Sequence, residues 1–474
     1  MRRFTLSLIA LLVLPIATAL CADLARDAYM GAYIGKSKVG YLHTTLAKEK
    51  LQGRDVYCLR ETLISRLRME GRNIRSDSTT TLYLTEDLKP IRGVYEEIDN
   101  GAITRTEARF LPGRVECKTT AEGKTTVKSV AIPAGVDLSV RMAYEAGLKT
   151  LRIGDEMNTA SFDAERMAVT TEVIRAVRRE EVDYKGGKVS ATVIVHGSGR
   201  SEVTDWRLDS GEIARSEMPG IGAVMIAQTK QEAMSGLGND ELDLDTVKTD
   251  KPIPNPRRVK SLKLRLIGIP DKDLVKNDSR QRAEFSAETS TAVFDISAAP
   301  FDPAKSTKLP IKRSDPAGYL KPSEGIESRD ERIIGRARGI VAGETNALKA
   351  ARKLRAWVQT NVKPSDEAAT TLSAVDVLTR KAGCCRHNAV LYAALARAAG
   401  IPTRLAAGLI YDAGSFRFHV WAESWVGQWV AIDPTYPGDF VDATHIKLVE
   451  GGIEELPALG RVAGRLRAQV IAAK

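Results

Sequence analysis

The feature that most constrains the fold is a strong helix pattern that begins at a cysteine. From Cys385 to Ala399 the sequence is rich in helix-favouring Ala and Leu, and apolar residues recur every four positions. A glycine that permits a tight turn precedes this segment, and Gly400 and Pro402 follow it as helix stops. The sequence therefore predicts a helix with Cys385 at its N-terminus.

A cysteine at the start of a helix has a specific chemical environment. The first turn of a helix offers backbone N–H groups without intrahelical acceptors, and the dipole is positive at that end. Both effects favour a thiolate over a thiol. The same N–H groups can form part of an oxyanion hole. Cys385 is therefore a candidate nucleophile.

Three strand-like segments follow this helix. They are Thr403 to Tyr411, Phe418 to Val426, and Gln428 to Ile432. His419 stands at the opening of the second segment and Asp433 directly after the third. Adjacent antiparallel strands bring a residue at a strand start beside one at a strand end. The sequence thus predicts that His419 and Asp433 are neighbours and that Cys385 faces them, the arrangement of nucleophile, base and orienting residue.

The order of these motifs resembles a known family. A cysteine at a helix head is followed by Leu-Ala-Arg-Ala-Ala-Gly-Ile-Pro, then by His-Val-Trp-Ala-Glu, then by Trp-Val-Ala-Ile-Asp-Pro-Thr. This series, over roughly residues 325–445, resembles the bacterial transglutaminase-like superfamily, which shares its catalytic core with papain-type proteases. The resemblance implies that Cys385 is the nucleophile, His419 the base and Asp433 the orienting residue. It implies acyl transfer from an amide, as peptide cleavage, deamidation or isopeptide formation.

Two adjacent cysteines leave a choice of nucleophile. Cys384 precedes Cys385, and Arg386 and His387 stand where the family often has polar or acidic residues. The spacing to the alanine-rich helix favours Cys385. We expect Cys384 to point into the core, with a strained Cys384–Cys385 disulfide as the alternative. We expect His387 to lie on the helix surface.

Two further helices are predicted before this core. Ser328-x-x-Glu331 has the pattern of a capping box, and apolar residues then follow on one helical face up to Gly343. A second helix is predicted from about Asn346 to Asn361.

The first half of the chain reads as strands joined by tight turns. Turn signals are Glu70-Gly71, Asn100-Gly101, Pro112-Gly113, Glu122-Gly123, Gly186-Gly187, Gly197-Ser198-Gly199 and Ser210-Gly211. A short helix is predicted over Leu138 to Ala146. These signals predict a large, mostly antiparallel β region, either one curved sheet or two half-domains. His43 and His196 stand alone in strand-like sequence, where a structural role is expected.

Prolines mark the domain boundary. Pro252, Pro254 and Pro256 form a stiff extended stretch, and Leu262, Leu264 and Leu266 then alternate with charged residues as in a half-buried strand. The predicted organisation is α+β: a signal peptide over 1–22, a β-rich region of unknown role over 23–250, a Pro-rich linker with a small β segment over 251–324, and a catalytic domain over 325–474.

The N-terminus predicts export. Arg2 and Arg3 precede a short apolar run, Leu6 to Leu14, and small residues follow it. Cleavage after Ala19 or Ala22 is expected to give a periplasmic or secreted chain. Lipid anchoring at Cys21 is disfavoured because the preceding leucine is large. No later segment is long and apolar enough for a membrane span.

Charge and cysteine spacing exclude other classes of protein. The net charge is +10, but no Lys/Arg run concentrates it and aromatic residues are only 5%, so no nucleic-acid site is expected. Cys384, Cys385 and His387 lack the paired spacing of structural zinc sites, and neither a metal nor a cofactor is expected. Cys58 and Cys117 either form a disulfide or remain as buried thiols.

Three functions fit these observations. The first is an exported cysteine acyl-transfer enzyme, with a peptidase or amidase favoured. The second is a protein cross-linking transglutaminase, and the third is a non-enzymatic envelope scaffold that retains the fold. The expected partner is a protein or peptide substrate, with an envelope component as a further candidate through the β-rich region.

Overall fold

A computed structural model describes residues 26–69, 72–121, 123–145, 151–164, 167–197, 202–237, 244, 246–298, 301–311, 316–365, 373–438 and 441–474. The predicted signal peptide, Cys21, the turn at Glu70-Gly71 and parts of the turns at Glu122-Gly123 and Gly197-Ser198-Gly199 lie outside these residues. The chain divides into two compact units, of which the second runs from Asp243 to Lys474.

The N-terminal unit is built on one antiparallel sheet of fourteen strands. The strands are β1 (Arg26–Ile34), β2 (Ser37–Leu51), β3 (Arg54–Met69), β4 (Arg72–Leu84), β5 (Pro90–Asp99), β6 (Ala102–Leu111), β7 (Arg114–Ala121), β8 (Lys124–Ala131), β9 (Glu156–Asp163), β10 (Ala168–Tyr184), β11 (Gly187–His196), β12 (Val203–Leu208), β13 (Ile213–Met218) and β14 (Ala223–Gln228). Their order is β8-β7-β6-β5-β4-β3-β2-β1-β14-β13-β12-β11-β10-β9. Two runs of hairpins are thus joined where β1 pairs with β14.

Tight turns produce this arrangement locally. Asn100 and Gly101 join β5 to β6 with φ of 48° and 88°, the positive values that a two-residue primed turn requires. Of the two arrangements left open by the sequence, the single sheet is the one observed, and the prediction of a large antiparallel β region is confirmed.

The two ends of this sheet approach each other within the N-terminal unit. The ring of Phe162 on β9 packs edge-on against Tyr95 and Phe110, with ring centroids 6.0 and 5.8 Å apart. The short helix α1 (Ser139–Glu145) lies where one was predicted, and Tyr144 packs with Ile174 and neighbouring strand residues. A second short helix, α2 (Lys230–Met234), follows β14.

His196 is not isolated in the sheet, although it stands alone in the sequence. Its Nδ1 lies 3.1 Å from Glu172 and its Nε2 lies 3.1 Å from Asp205. Arg141 also pairs with Glu172, and His196 is 2% exposed. Burial by itself lowers the pKa of His196, but the two carboxylates together raise it to about 9.

Among its described residues, the C-terminal unit contains the remaining strands and four α-helices. The strands are β15 (Thr246–Val247), β16 (Ser261–Ile267), β17 (Gln281–Ser286), β18 (Thr291–Ser297), β19 (Lys363–Pro364), β20 (Ala382–Gly383), β21 (Thr403–Asp412), β22 (Ser415–Trp425), β23 (Trp429–Ile432), β24 (Ile446–Gly451) and β25 (Arg467–Ala473). The helices are α3 (Glu331–Val341), α4 (Ala347–Asn361), α5 (Ala374–Arg380) and α6 (Cys385–Ala398). The main sheet has the order β15-β22-β21-β24, with β23 on β22, and a smaller sheet has the order β17-β18-β16-β25.

Helix α6 is the centre of this unit. Every residue from Arg386 to Arg397 is buried, because α3, α4, α5 and the strands β21 and β22 pack around it. A helix that is buried on all sides has its ends fixed by the surrounding core. The position of Cys385, its first residue, is therefore set by the packing of the whole unit.

The helix starts agree with the sequence in one case and not in the other. Asn346 caps α4 as predicted, accepting the N–H of Lys349. The predicted capping box at Ser328 is wrong. Helix α3 begins later, and Asp330 caps it by accepting the N–H of Arg332. No helix among the described residues is long and apolar enough to cross a membrane.

Candidate functional site

Cys385 is the first residue of α6, as predicted, and Cys384 is its N-cap. Both residues are partly exposed, and both are thiols rather than half-cystines. The expectation that Cys384 points into the core is therefore not met. Cys58 and Cys117, by contrast, are buried thiols. Of the two alternatives predicted for them, a disulfide or buried thiols, the structure has the buried thiols.

His387 holds the turn that carries the two cysteines. The N–H of Cys384 donates to His387 Nδ1 at 3.0 Å, and His387 is fully buried. A Cβ on Gly383 would lie only 2.5 Å from the Cβ of His387, so the ring needs a glycine at that position. The prediction that His387 lies on the surface is wrong. It occupies the third helical position, from which a side chain can reach back to the N-cap N–H.

His419 and Asp433 form a buried pair on neighbouring strands. His419 lies within β22, and Asp433 follows the last residue of β23. Their contact joins His419 Nε2 to Asp433 Oδ2 at 2.9 Å, and they are only 3% and 5% exposed. The antiparallel register that pairs Ala422 with Ile432 places them side by side.

The start of α6 contacts the loop that holds Asp433. The second oxygen of Asp433 accepts the N–H of Thr435 at 2.7 Å. Thr435 Oγ1 in turn lies 3.5 Å from Nδ2 of Asn388, three residues after Cys385. Residues three apart on a helix share a face, so Cys385 lies on the side of α6 that looks toward the His419–Asp433 pair.

Tyr436 packs against the imidazole of His419. Its ring packs edge-on against His419, with centroids 5.5 Å apart. Burial raises the pKa of Tyr436, and the negative charges of Asp412, Asp433 and Cys385 raise it further.

A family model matches part of the C-terminal unit. Residues 334–434 match the family model of the Transglutaminase-like superfamily. This region is a transglutaminase-like domain. The predicted family resemblance is confirmed, and the matched segment includes Cys385, His419 and Asp433.

Two solved structures are also similar to the chain. One is named as a candidate cysteine protease from Cytophaga hutchinsonii, with 18% identity over 46% of this chain and 89% of that one and a TM-score of 0.34. The other is named as a candidate protease from Parabacteroides distasonis, with 12% identity over 73% of this chain and 68% of that one and a TM-score of 0.21. A search of curated proteins found no match.

A histidine just beyond the matched segment, which sequence reasoning missed, also contacts Asp433. His445 is 1% exposed, and its Nε2 lies 3.1 Å from the same Asp433 oxygen that His419 contacts. Its Nδ1 lies 3.4 Å from Asp442 Oδ2. The available signal was weak: His445 is one of five histidines in the chain and stands three residues after an aspartate.

The two imidazoles keep Asp433 ionised. Burial alone would raise the pKa of Asp433, but the charge and hydrogen bond of His419, and then those of His445, hold it well below its usual range. An ionised carboxylate only accepts hydrogen bonds. His419 therefore carries a proton on Nε2, and its Nδ1 is the nitrogen left for a reacting group.

His419, Asp433 and His445 offer ligand atoms within 4.8 Å of one another, close enough to consider a metal ion. The two separations at the shared oxygen, 2.9 and 3.1 Å, are those of N–H to O hydrogen bonds. A ring nitrogen that donates to a carboxylate has no lone pair for a metal. In this structure the two contacts are hydrogen bonds, and Asp433 is shared between two imidazoles.

Proposed function

We propose that the transglutaminase-like domain is a cysteine acyl-transfer enzyme that acts on peptide or amide bonds, most simply as a peptidase or amidase. Cys385 is the nucleophile, His419 the general base and acid, and Asp433 the residue that orients His419. The observation that carries the proposal is the buried His419–Asp433 pair, with a 2.9 Å contact. This pair faces the side of α6 on which Cys385, the first residue of the helix, lies.

The reaction follows from the two nitrogens of His419. Nε2 donates to Asp433, so Nδ1 can take the proton of the Cys385 thiol. The thiolate attacks the carbonyl carbon, and the bond from carbon to nitrogen breaks. His419 returns the proton to the leaving amine, and a thioester remains on Cys385. Water, activated by the same imidazole, then releases the acid and restores the thiol.

The start of α6 supports the developing charge. Its first turn has backbone N–H groups without intrahelical acceptors, and the positive end of the helix dipole lies there. Such groups stabilise both the thiolate and the oxyanion that forms during attack. His387 contributes indirectly, because its contact with the N–H of Cys384 fixes the turn that places them.

A peptide digest tests the proposal. Wild-type protein is incubated with a defined peptide library, and the products are identified by mass spectrometry. We expect cleavage or deamidation that disappears in Cys385→Ala and persists in the matched control Cys384→Ala. If neither wild-type protein nor the control modifies any peptide, or if Cys385→Ala keeps the activity, the proposal is wrong.

A primary amine added to the same digest separates hydrolysis from transamidation. Hydrolysis gives free acids, whereas a cross-linking transglutaminase gives amine-labelled peptides. An unmodified library with and without the amine is the result that a non-enzymatic scaffold predicts.

We propose an exported location from the N-terminal residues alone. N-terminal sequencing of the protein from its native cells tests this, with a mature chain expected to begin between Leu20 and Asp23. A chain that keeps Met1 or Arg2 contradicts it.

A further inference from the structure

His445 has a carboxylate at each of its two ring nitrogens. Nε2 lies 3.1 Å from Asp433 Oδ2, and Nδ1 lies 3.4 Å from Asp442 Oδ2. The ring is fully enclosed, and Trp421 lies edge-on to it with centroids 5.4 Å apart. Nε2 is hydrogen-bonded to its carboxylate, whereas Nδ1 meets the second carboxylate at an ion-pair distance only. A bare nitrogen lone pair facing a buried carboxylate oxygen is unfavourable, so this pair of carboxylates favours the doubly protonated form.

The surrounding charges agree with a cationic His445. Burial would raise the pKa of Asp442, but the charges of His445 and Arg257 and the hydrogen bond of Thr444 lower it to about 2. Burial lowers the pKa of His445 itself, but the hydrogen bond to Asp433 and the charges of Asp442 and Asp433 raise it above its ordinary value. Both carboxylates are ionised near neutral pH, so neither can supply the missing proton.

Arginines face this cluster from the far side. Arg257 Nη1 lies 3.0 Å from Asp442 Oδ2, and Arg280 Nη2 donates to the carbonyl oxygen of Asp442 at 3.0 Å. His419 faces His445 from β22, with ring centroids 5.7 Å apart. Charges therefore alternate along a row from Arg257 through Asp442 and His445 to Asp433, and His419 contacts the Oδ2 oxygen at the end of this row.

We propose that His445 is a positioning residue: a buried imidazolium that holds the Oδ2 oxygen of Asp433 toward His419 and, by its charge, eases the loss of the proton from His419. This inference rests on the proposed function of Cys385 and His419. It explains why a carboxylate stands at position 433 among three N–H donors. It also explains how His419 can release its proton to a leaving amine although a fully ionised carboxylate supports it.

The size of the effect follows from the separation. Two unit charges about 6 Å apart, at an effective dielectric constant of about 20, shift a proton equilibrium by about two pH units. Solvent at the partly exposed start of α6 reduces this value. We expect a shift of about one to two units when the charge on His445 is removed.

The test uses iodoacetamide as the probe and the full chain as the protein. The alkylation rate of Cys385 is measured by peptide mapping from pH 4 to pH 10. A thiolate–imidazolium pair gives two rises, the first on formation of the thiolate and the second on proton loss from His419. Two variants are compared with wild type: His445→Gln, which can still donate to Asp433, and Asp442→Asn, which leaves His445 with one carboxylate.

In His445→Gln we expect the second rise to move up by about one to two pH units. In Asp442→Asn we expect a smaller upward move, because this variant removes a negative charge together with the support for the positive charge on His445. If His445 only filled space, its replacement would change stability or the overall alkylation rate and leave the pH of the second rise unchanged. If His445→Gln fails to fold, as judged by circular dichroism, Asp442→Asn decides the question. We expect Asp442→Asn to fold, because Arg257, which loses its contact with the carboxylate, still contacts Tyr411 and Thr444.

Other outcomes separate the two proposals. If wild-type Cys385 titrates in a single rise near pH 8.5, as an ordinary thiol does, the proposed function fails. If wild type shows two rises and both variants show them at the same pH, only the role of His445 is overturned. One equivalent of tightly bound metal in wild type that is lost in His445→Gln would overturn that role as well.

Discussion

Replacing Asp433 with asparagine perturbs the centre of the site with almost no change in volume. Three N–H groups converge on this carboxylate: His419 at 2.9 Å and His445 at 3.1 Å on Oδ2, and the backbone of Thr435 at 2.7 Å on Oδ1. An amide has one acceptor oxygen and an NH2 group that only donates. In either orientation of the introduced side chain, its NH2 group faces an N–H donor.

The loss of stability can be sized from these contacts. A buried donor without an acceptor costs about 1–3 kcal/mol, and removing one partner of a buried ion pair costs about 3–5 kcal/mol. His445 keeps Asp442, which offsets part of the second loss. We expect the free energy of unfolding to fall by about 3 kcal/mol at pH 7.

The pH dependence has a definite sign. The pKa of Asp433 is lower in the folded state than in the unfolded chain, so its contribution is complete above about pH 4 and is lost as the pH falls further. The difference between wild type and Asp433→Asn should shrink below pH 4 accordingly.

Urea unfolding followed by tryptophan fluorescence measures this difference. Four of the five tryptophans lie in the C-terminal unit, and the Trp421 ring stacks near His419, with centroids 6.1 Å apart. Asp295→Asn, which changes an exposed carboxylate on β18, is the matched control and should not change stability. A loss below about 1 kcal/mol for Asp433→Asn would refute the reasoning about three converging donors.

Two further predictions concern other parts of the fold. Burial lowers the pKa of His196, but Asp205 and Glu172 raise it to about 9. Protonated His196 should therefore contribute about 3 kcal/mol to the free energy of unfolding of the N-terminal unit below pH 6.5, and this contribution should be lost as the pH rises through 9. Urea unfolding from pH 6 to pH 10 checks this, and an equal pH dependence in His196→Gln contradicts it. Gly383→Ala should abolish Cys385 alkylation at pH 6, since the new Cβ would lie 2.5 Å from the Cβ of His387. The double variant Gly383→Ala/His387→Ala should regain part of this alkylation. Full reactivity of Gly383→Ala alone would contradict the prediction.

The transglutaminase-like core was predictable because its signals are local. The glycine, cysteine and alanine-rich run define the start of α6, and the alternation of short strands with turns places His419 beside Asp433. Helical phase could also have corrected the error on His387, which stands four residues before the buried Leu391 on the same face.

Other parts of the structure depend on contacts that no local pattern contains. The pairing of β1 with β14 joins residues about 190 positions apart, so turn signals could not decide between one sheet and two half-domains. His445 contacts Asp433 from a loop that no helix or strand pattern marks. Its proposed role also depends on Asp442 in the same loop and on Arg257, which is distant in the sequence. Sequence periodicity predicts faces and neighbours along an element, and it does not predict which distant side chains share one buried charge.

Selective alkylation of the native protein tests the central claim, that Cys385 is an activated nucleophile, most directly. Wild-type protein is treated with a small excess of iodoacetamide at pH 6, and each cysteine is mapped by mass spectrometry. We predict that Cys385 is labelled first and that His419→Ala slows this labelling. Cys58 and Cys117 should stay unlabelled, since burial raises the pKa of both, that of Cys58 to about 11. Labelling of Cys384 before Cys385, or equal labelling in wild type and His419→Ala, would contradict the account.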